Sequence, residues 1–142
     1  VTFLLDVNVL IALIDPAHTH HDDAHRWFAG EASQSWATCP LTENAVLRIV
    51  GNSRYPRSPG GPASVAPSLF SLRAHPGHRF WADDFSLLDC AFVDPKRLLS
   101  SGQVTDTYLL ALARSKAGRL ATFDRRLVTA AVEGGEASLH LI

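Results

Sequence analysis

The first fourteen residues constrain the fold more than any other stretch. Phe3-Leu4-Leu5 is a short apolar run suited to a strand buried on both faces of a parallel sheet. Asp6 interrupts it, and Val7 to Ile14 resumes apolar at spacings a helix can use. A carboxylate where a buried strand gives way to a helix costs several kcal/mol unless something compensates it, about 2–7 kcal/mol even for a neutral polar group. Two readings are open. Asp6 caps the following helix, or it sits at the carboxyl end of a central strand, where open α/β sheets place their ligands.

The rest of the chain repeats the strand–helix alternation. A helix is expected over Asp22–Ala32, with Ala24, Trp27 and Phe28 at i, i+3, i+4 forming its core face. Ser35 to Cys39 reads as a second strand. A third helix opens at Leu41-Thr42-Glu43-Asn44, with Val46, Ile49 and Val50 inward. Gly51 to Pro62 is rich in Gly, Pro, Ser and Arg and reads as a long loop. A fourth helix is expected over Ser64–Ala74, a third strand at Arg79-Phe80-Trp81, and a short helix near Pro95. Thr105 to Lys116 is the strongest helix, with Gly118 as its terminator. Arg119 to Phe123 is a fourth buried strand, broken by Asp124 as the first is by Asp6. A short helix over Arg125–Val132 and a strand over Ser138–Ile142 complete the chain. This order predicts one α/β domain spanning residues 1–142, a parallel sheet of about five strands flanked by helices.

The 142 residues carry a formal net charge of −1, which excludes a globally basic nucleic-acid binder and leaves room for a local arginine patch. Two cysteines are too few for a disulfide framework or a structural zinc site, and Cys39 reads as a small core residue. The amino terminus lacks a signal-peptide pattern and no apolar run approaches bilayer length, so a cytoplasmic protein is expected. His18, His20, His21 and His25 cluster ahead of the second helix. The i, i+4 pair His21/His25 has a metal-ligand spacing, but no further ligand completes a zinc site, which favours structural or substrate-facing roles.

Asp6 and Asp124 each follow an apolar strand, while Glu43 and Asp106 each sit at a helix start. In a parallel sheet, strand ends and helix starts share one edge, so four carboxylates converge on one crevice. Each alone is an ordinary cap or first-turn acid. Together they repel, and a hard divalent cation with oxygen ligands, Mg²⁺ or Mn²⁺, relieves that repulsion. Such a site suits phosphodiester hydrolysis. Asn8 and Thr122 stand close enough in sequence to orient the carboxylates or hydrogen-bond metal waters. Arg48, Arg54, Arg57, Arg125 and Arg126 are the candidates for holding a polyanion, and Tyr55 adds a stacking surface to the loop.

The set Leu5-Asp6-Val7-Asn8, Thr42-Glu43, Val104-Thr105-Asp106 and Ala121-Thr122-Phe123-Asp124 resembles the acidic signature of PIN domains, most of all VapC-type toxins of bacterial toxin–antitoxin pairs. The likeness extends over nearly the whole chain, except the poorly alignable Arg48–Pro62 segment. It implies a PIN-like fold and a Mg²⁺- or Mn²⁺-dependent endoribonuclease that arrests growth by cutting RNA. It also implies a homodimer and a cognate VapB-type antitoxin that blocks the crevice. Asp6, Glu43, Asp106 and Asp124 match the family's catalytic and metal-binding acids, Asp124 being the most peripheral. Two other readings are a PIN-like RNA-binding domain without catalysis and a phospho-receiver module. The latter needs paired acids after the first strand and a crevice lysine, and Asp6 stands alone there.

Overall fold

A computed structural model describes all 142 residues. The five strands β1 (Phe3–Leu5), β2 (Trp36–Thr38), β3 (His78–Phe80), β4 (Arg119–Thr122) and β5 (Leu139–Leu141) form one sheet, in the order β3-β2-β1-β4-β5. All four pairings are parallel. Phe3 is in register with Trp36 on one side and Arg119 on the other, so β1 is the central strand. The connection leaves β1 towards β2 on one side and returns through β4 on the other. The point where strand order reverses therefore lies between β1 and β4, beyond Leu5 and Thr122.

Strand alternation divides the core into two layers. Phe3, Leu5, Trp36 and Ala121 face one side, where α1 (Val7–Ile14), α2 (His21–Trp27), α3 (Pro40–Val50) and α4 (Pro62–Arg73) pack. Leu4, Ala37 and Leu120 face the other, covered by α5 (Val104–Ser115) through Leu109, Leu112 and Ala113. No helix is long and apolar enough to cross a membrane.

The elements follow the sequence expectation with some departures. The span foreseen as one helix is α2 followed by a π-helical turn, Phe28–Ala32, closed by the Ser33 N–H donating to the Phe28 carbonyl (2.8 Å). The wider turn brings Ala32, five residues after Trp27, onto the buried face. On α3 the buried stripe is Thr42, Ala45, Val46 and Val50; Ile49, expected inward, faces solvent. α4 begins two residues earlier than expected, because Pro62 occupies its first turn, where no N–H is needed.

The helix expected over Arg125–Val132 does not form. Its backbone is committed elsewhere: Asp94 N–H donates to Ala131 O (2.9 Å), Glu133 N–H donates to Phe92 O (2.8 Å), and Val93 bridges Val132 in antiparallel fashion. A helix there would forfeit these bonds for the 92–94 segment as well.

Candidate active site

Asp6 satisfies both sequence readings at once. Its Oδ1 accepts the Val7 N–H (2.7 Å) and so caps α1, while its Oδ2 accepts from the Thr122 hydroxyl (2.7 Å) at the end of β4. The side chain is buried among these partners. Burial pushes its carboxyl above the ordinary range and the Asp124 charge adds to that, against the two hydrogen bonds, which favour the ionised form.

Thr122 is the hub that ties β1 to β4. Its hydroxyl donates to Asp6 and accepts from Asn8 Nδ2 (3.0 Å) and from the Asp124 N–H (3.0 Å), which fills its hydrogen-bonding capacity. Asn8 completes the bracing: its Oδ1 accepts the Phe123 N–H (3.2 Å), and its Nδ2 also approaches Asp6 Oδ2 (3.5 Å). Asp124 Oδ1 accepts the Arg126 N–H (2.9 Å), a local turn that holds the carboxylate at the strand end.

Asp106 lies in the first turn of α5, which packs on the opposite face of the sheet. Its carboxyl is pushed up to about 6, first by burial and then by the charges of Asp6 and Asp124, and no hydrogen bond offsets them. Three of the four predicted acids thus act on one another across the switch point.

Glu43 stands apart from that trio. Its Oε2 accepts from the Thr38 hydroxyl (2.5 Å), and its Oε1 pairs with Arg73 on α4 (3.3 Å). Because Thr38 spends its one proton on Glu43, His78 must donate its Nε2–H to the Thr38 oxygen (2.7 Å). Burial lowers the His78 pKa, in keeping with that neutral tautomer. Thr38, Arg73 and His78 were missed by sequence reasoning. Thr38 stands at the end of β2, just before the helix that bears Glu43, Arg73 arrives through the packing of α4 on α3, and His78 reaches Thr38 through the parallel β2–β3 pairing, so no single spacing in the sequence signals the group.

The candidate arginines divide into two groups. Arg125 and Arg126 follow Asp124 directly, and Arg125 reaches the Ile142 carbonyl (3.4 Å). The loop after α3, with Arg54 and Arg57, is tied to the far end of α1 by a Tyr55 hydroxyl bond to Asp15. Asp15 is the C-cap of α1 and Asp6 its N-cap, a separation of about 12 Å along an eight-residue helix. Arg48 is exposed near the end of α3 that adjoins this loop.

The histidine segment is explained by the same helix. His21 Nδ1 and His25 Nε2 meet the Ala12 and Leu13 carbonyls at 2.7 and 2.8 Å, satisfying acceptors that the end of α1 leaves free. Neither ring forms part of a metal-ligand cluster. Lys116, the nearer of the two lysines to a strand, pairs with Asp84 (3.2 Å), which leaves the phospho-receiver reading without its crevice lysine.

The donors at the switch point are all carboxylate oxygens, and Asp106 has none of its valence met by the protein. That chemistry fits a hard divalent cation. As the side chains lie, no three acidic, histidine or cysteine groups stand close enough to ligate an ion together.

With a parallel sheet, its acids at the switch point and helices on both faces, the molecule is of the PIN type. The PIN domain family model matches residues 3–133, and the chain belongs to that family. Within it the chain is a member of the VapC group. It is 43% identical over 134 residues to ribonuclease VapC44 of Mycobacterium tuberculosis, covering 92% of each chain. It is 42% identical over 139 residues to ribonuclease VapC38 of the same organism, covering 98% of this chain and 96% of that one. The fold matches M. tuberculosis VapC20, a sarcin–ricin loop cleaving toxin, with a TM-score of 0.63 at 15% identity over 92% and 95% of the two chains. It matches Rickettsia felis VapBC2 bound to a promoter DNA fragment with the same TM-score at 10% identity, over 100% and 99%.

Proposed function

We propose that this chain is the toxin of a toxin–antitoxin pair, an endoribonuclease that hydrolyses RNA phosphodiester bonds with Mg²⁺, or Mn²⁺ in its place. The observation that carries the reading is the trio Asp6, Asp106 and Asp124, brought by three elements to one edge of the sheet at the switch point, near enough for their charges to act on one another and with Asp106 unpartnered. Asp6 and Asp106 would hold the ion, with Asp124 at its edge and Glu43 reaching it after release from Arg73. The ion would supply a Lewis acid for the phosphate and a more acidic water as nucleophile.

The protein's own residues do the positioning. The Val7 N–H and the Thr122 hydroxyl, itself braced by Asn8, fix the Asp6 rotamer, so the carboxylate is held in place at the strand end and only its remaining lone pairs would serve an ion. Arg125 and Arg126, one and two residues from Asp124, are placed to take the RNA backbone on either side of the cut. Arg48, Arg54 and Arg57 serve only a longer RNA path, because the loop lies at the other end of α1. Kinship with the VapC ribonucleases supports the remainder: a homodimer in the cytoplasm and a VapB-type antitoxin that covers the acids.

Purified protein is expected to cut cellular RNA with Mg²⁺ or Mn²⁺ and to stop when EDTA is added. Asp6→Asn and Asp106→Asn, which preserve shape, should each leave less than about 1% of the activity. Full cleavage by either variant would reject the assignment, and tight RNA binding without cleavage under any divalent metal would favour a binding domain instead.

A further inference from the structure

A concavity takes Phe123 and Arg125, the two chain neighbours of Asp124, into its lining. It measures about 500 Å³ and is lined by residues of α2, its π-helical extension, the turn after β4 and the chain end. On one wall the His20 ring lies flat on Phe123, centroids 4.4 Å apart and planes 10° from parallel. Trp27 contributes a nearly buried aromatic surface, packed edge-on against Phe3 at 5.2 Å. Its indole N–H donates to His140 Nε2 (3.0 Å) and so fixes the ring orientation. At the rim stand Arg125 and Arg26. The Arg26 side chain is 77% exposed and pairs only with Asp23, itself 58% exposed.

We propose that this cleft is a nucleobase subsite of the ribonuclease, taking one unpaired base next to the scissile phosphate; the proposal rests on the ribonuclease reading. Three observations carry it. The cleft flanks Asp124 along the chain, since its lining residues Phe123 and Arg125 stand directly before and after that acid, and Asn8 holds the Phe123 backbone N–H (3.2 Å). A phosphate at Asp124 therefore leaves its flanking nucleotide within reach of the Phe123 side of the strand end. The wall carries the partly exposed His20–Phe123 stack, flat rings of the kind on which single-stranded bases stack irrespective of their hydrogen-bonding edges, and the nearly buried Trp27 backs the cleft. The rim supplies donors from Arg26 and Arg125 and acceptors from Asp23 and Glu31, the two kinds of group a base edge presents. A bare phosphate would find two carboxylates there as well as two arginines, so the site suits a base better than an anion.

The test uses Asp106→Asn protein, which leaves RNA whole, titrated in EDTA with a mixed-sequence single-stranded octaribonucleotide. A matched abasic octamer keeps the phosphates and removes the bases. Backbone and indole resonances are followed by ¹H–¹⁵N NMR, and wild-type cleavage of cellular RNA with Mg²⁺ is measured in parallel. The intact octamer should move the Trp27 indole N–H and the Phe123 and Arg125 amides, and the abasic octamer should not. His20→Leu should weaken the intact octamer about tenfold, and Arg26→Ala, a surface change that leaves packing alone, should weaken it by a smaller factor. If the wild type cuts RNA but the cleft resonances stay still, or the abasic octamer moves them as far, the subsite is rejected and the ribonuclease reading stands. If there is neither cleavage nor octamer binding, both fall.

Discussion

An ionised carboxylate placed as Asp106 is destabilises the chain until a cation reaches it. Its folded-state pKa of about 6 stands above the ordinary 3.8 because burial and two like charges disfavour the anion. The folded protein therefore holds a proton that the unfolded chain releases, and stability falls as pH rises from about 4 through 6. Two pKa units correspond to about 3 kcal/mol, but the group is half open to solvent, and screening reduces this to about 1 kcal/mol. Asp106→Asn should thus raise metal-free stability by about 1 kcal/mol at pH 7.5 and leave it unchanged at pH 4, as read by urea unfolding at each pH. Equal or lower stability of the variant at pH 7.5 would mean the repulsion has been misjudged. The same substitution is expected to abolish cleavage, a residue-scale exchange of stability for function.

At the scale of single elements, what the sequence disclosed and what it hid have physical causes. The alternation of apolar strands and periodic helices is a local signal, and it located all five strands and the long helices within a residue or two. The end of α5 shows where local reasoning falls short. Gly118 was the expected terminator, yet the left-handed residue is Ala117, with φ of 55°. The Gly118 N–H reaches back to Ala113 O (2.8 Å) and the Ala117 N–H to Arg114 O (3.0 Å), the two bonds of a Schellman motif whose reversing position is Ala117. Gly118 is required for another reason: a Cβ there would lie 2.5 Å from the Thr2 carbonyl. A left-handed alanine costs about 1–2 kcal/mol, while glycine adds unfolded-state entropy of about 0.5–1 kcal/mol. Ala117→Gly should therefore stabilise the protein by about 0.5 kcal/mol, and Gly118→Ala should destabilise it by more than about 1 kcal/mol. Thermal unfolding of the two variants distinguishes these roles; the opposite ranking would reassign the cap. The Arg125–Val132 segment failed for a related reason, since its composition permits a helix but the 92–94 segment takes its backbone.

Across the whole molecule, the candidate site was legible where chain order alone dictates place. Asp6 and Asp124 follow strands, Asp106 opens a helix, and a parallel sheet sends all three to one edge. Glu43 obeys the same rule, yet Thr38 and Arg73 hold it off to one side, because the rule gives the edge and not the side chain's partner. Arg54 and Arg57 were grouped with the site by charge, although the loop that bears them is fastened to the opposite end of α1. The trio is therefore the part of the site that the fold builds without help, and its stored repulsion makes a whole-molecule prediction. A divalent ion that binds only the folded state stabilises it by RT ln(1 + [L]/Kd), about 1.4 kcal/mol at ten times Kd. For a chain of this length that raises Tm by about 4–6 °C. Manganese chloride at millimolar concentration should give such a rise in wild-type protein, whereas sodium chloride of equal ionic strength should give little, because exposed pairs such as Arg26–Asp23 contribute almost nothing to be screened. Asp6→Asn and Asp106→Asn should lose the manganese response. A Tm that rises equally with both salts, or equally in the variants, would show that these carboxylates do not form a cation site.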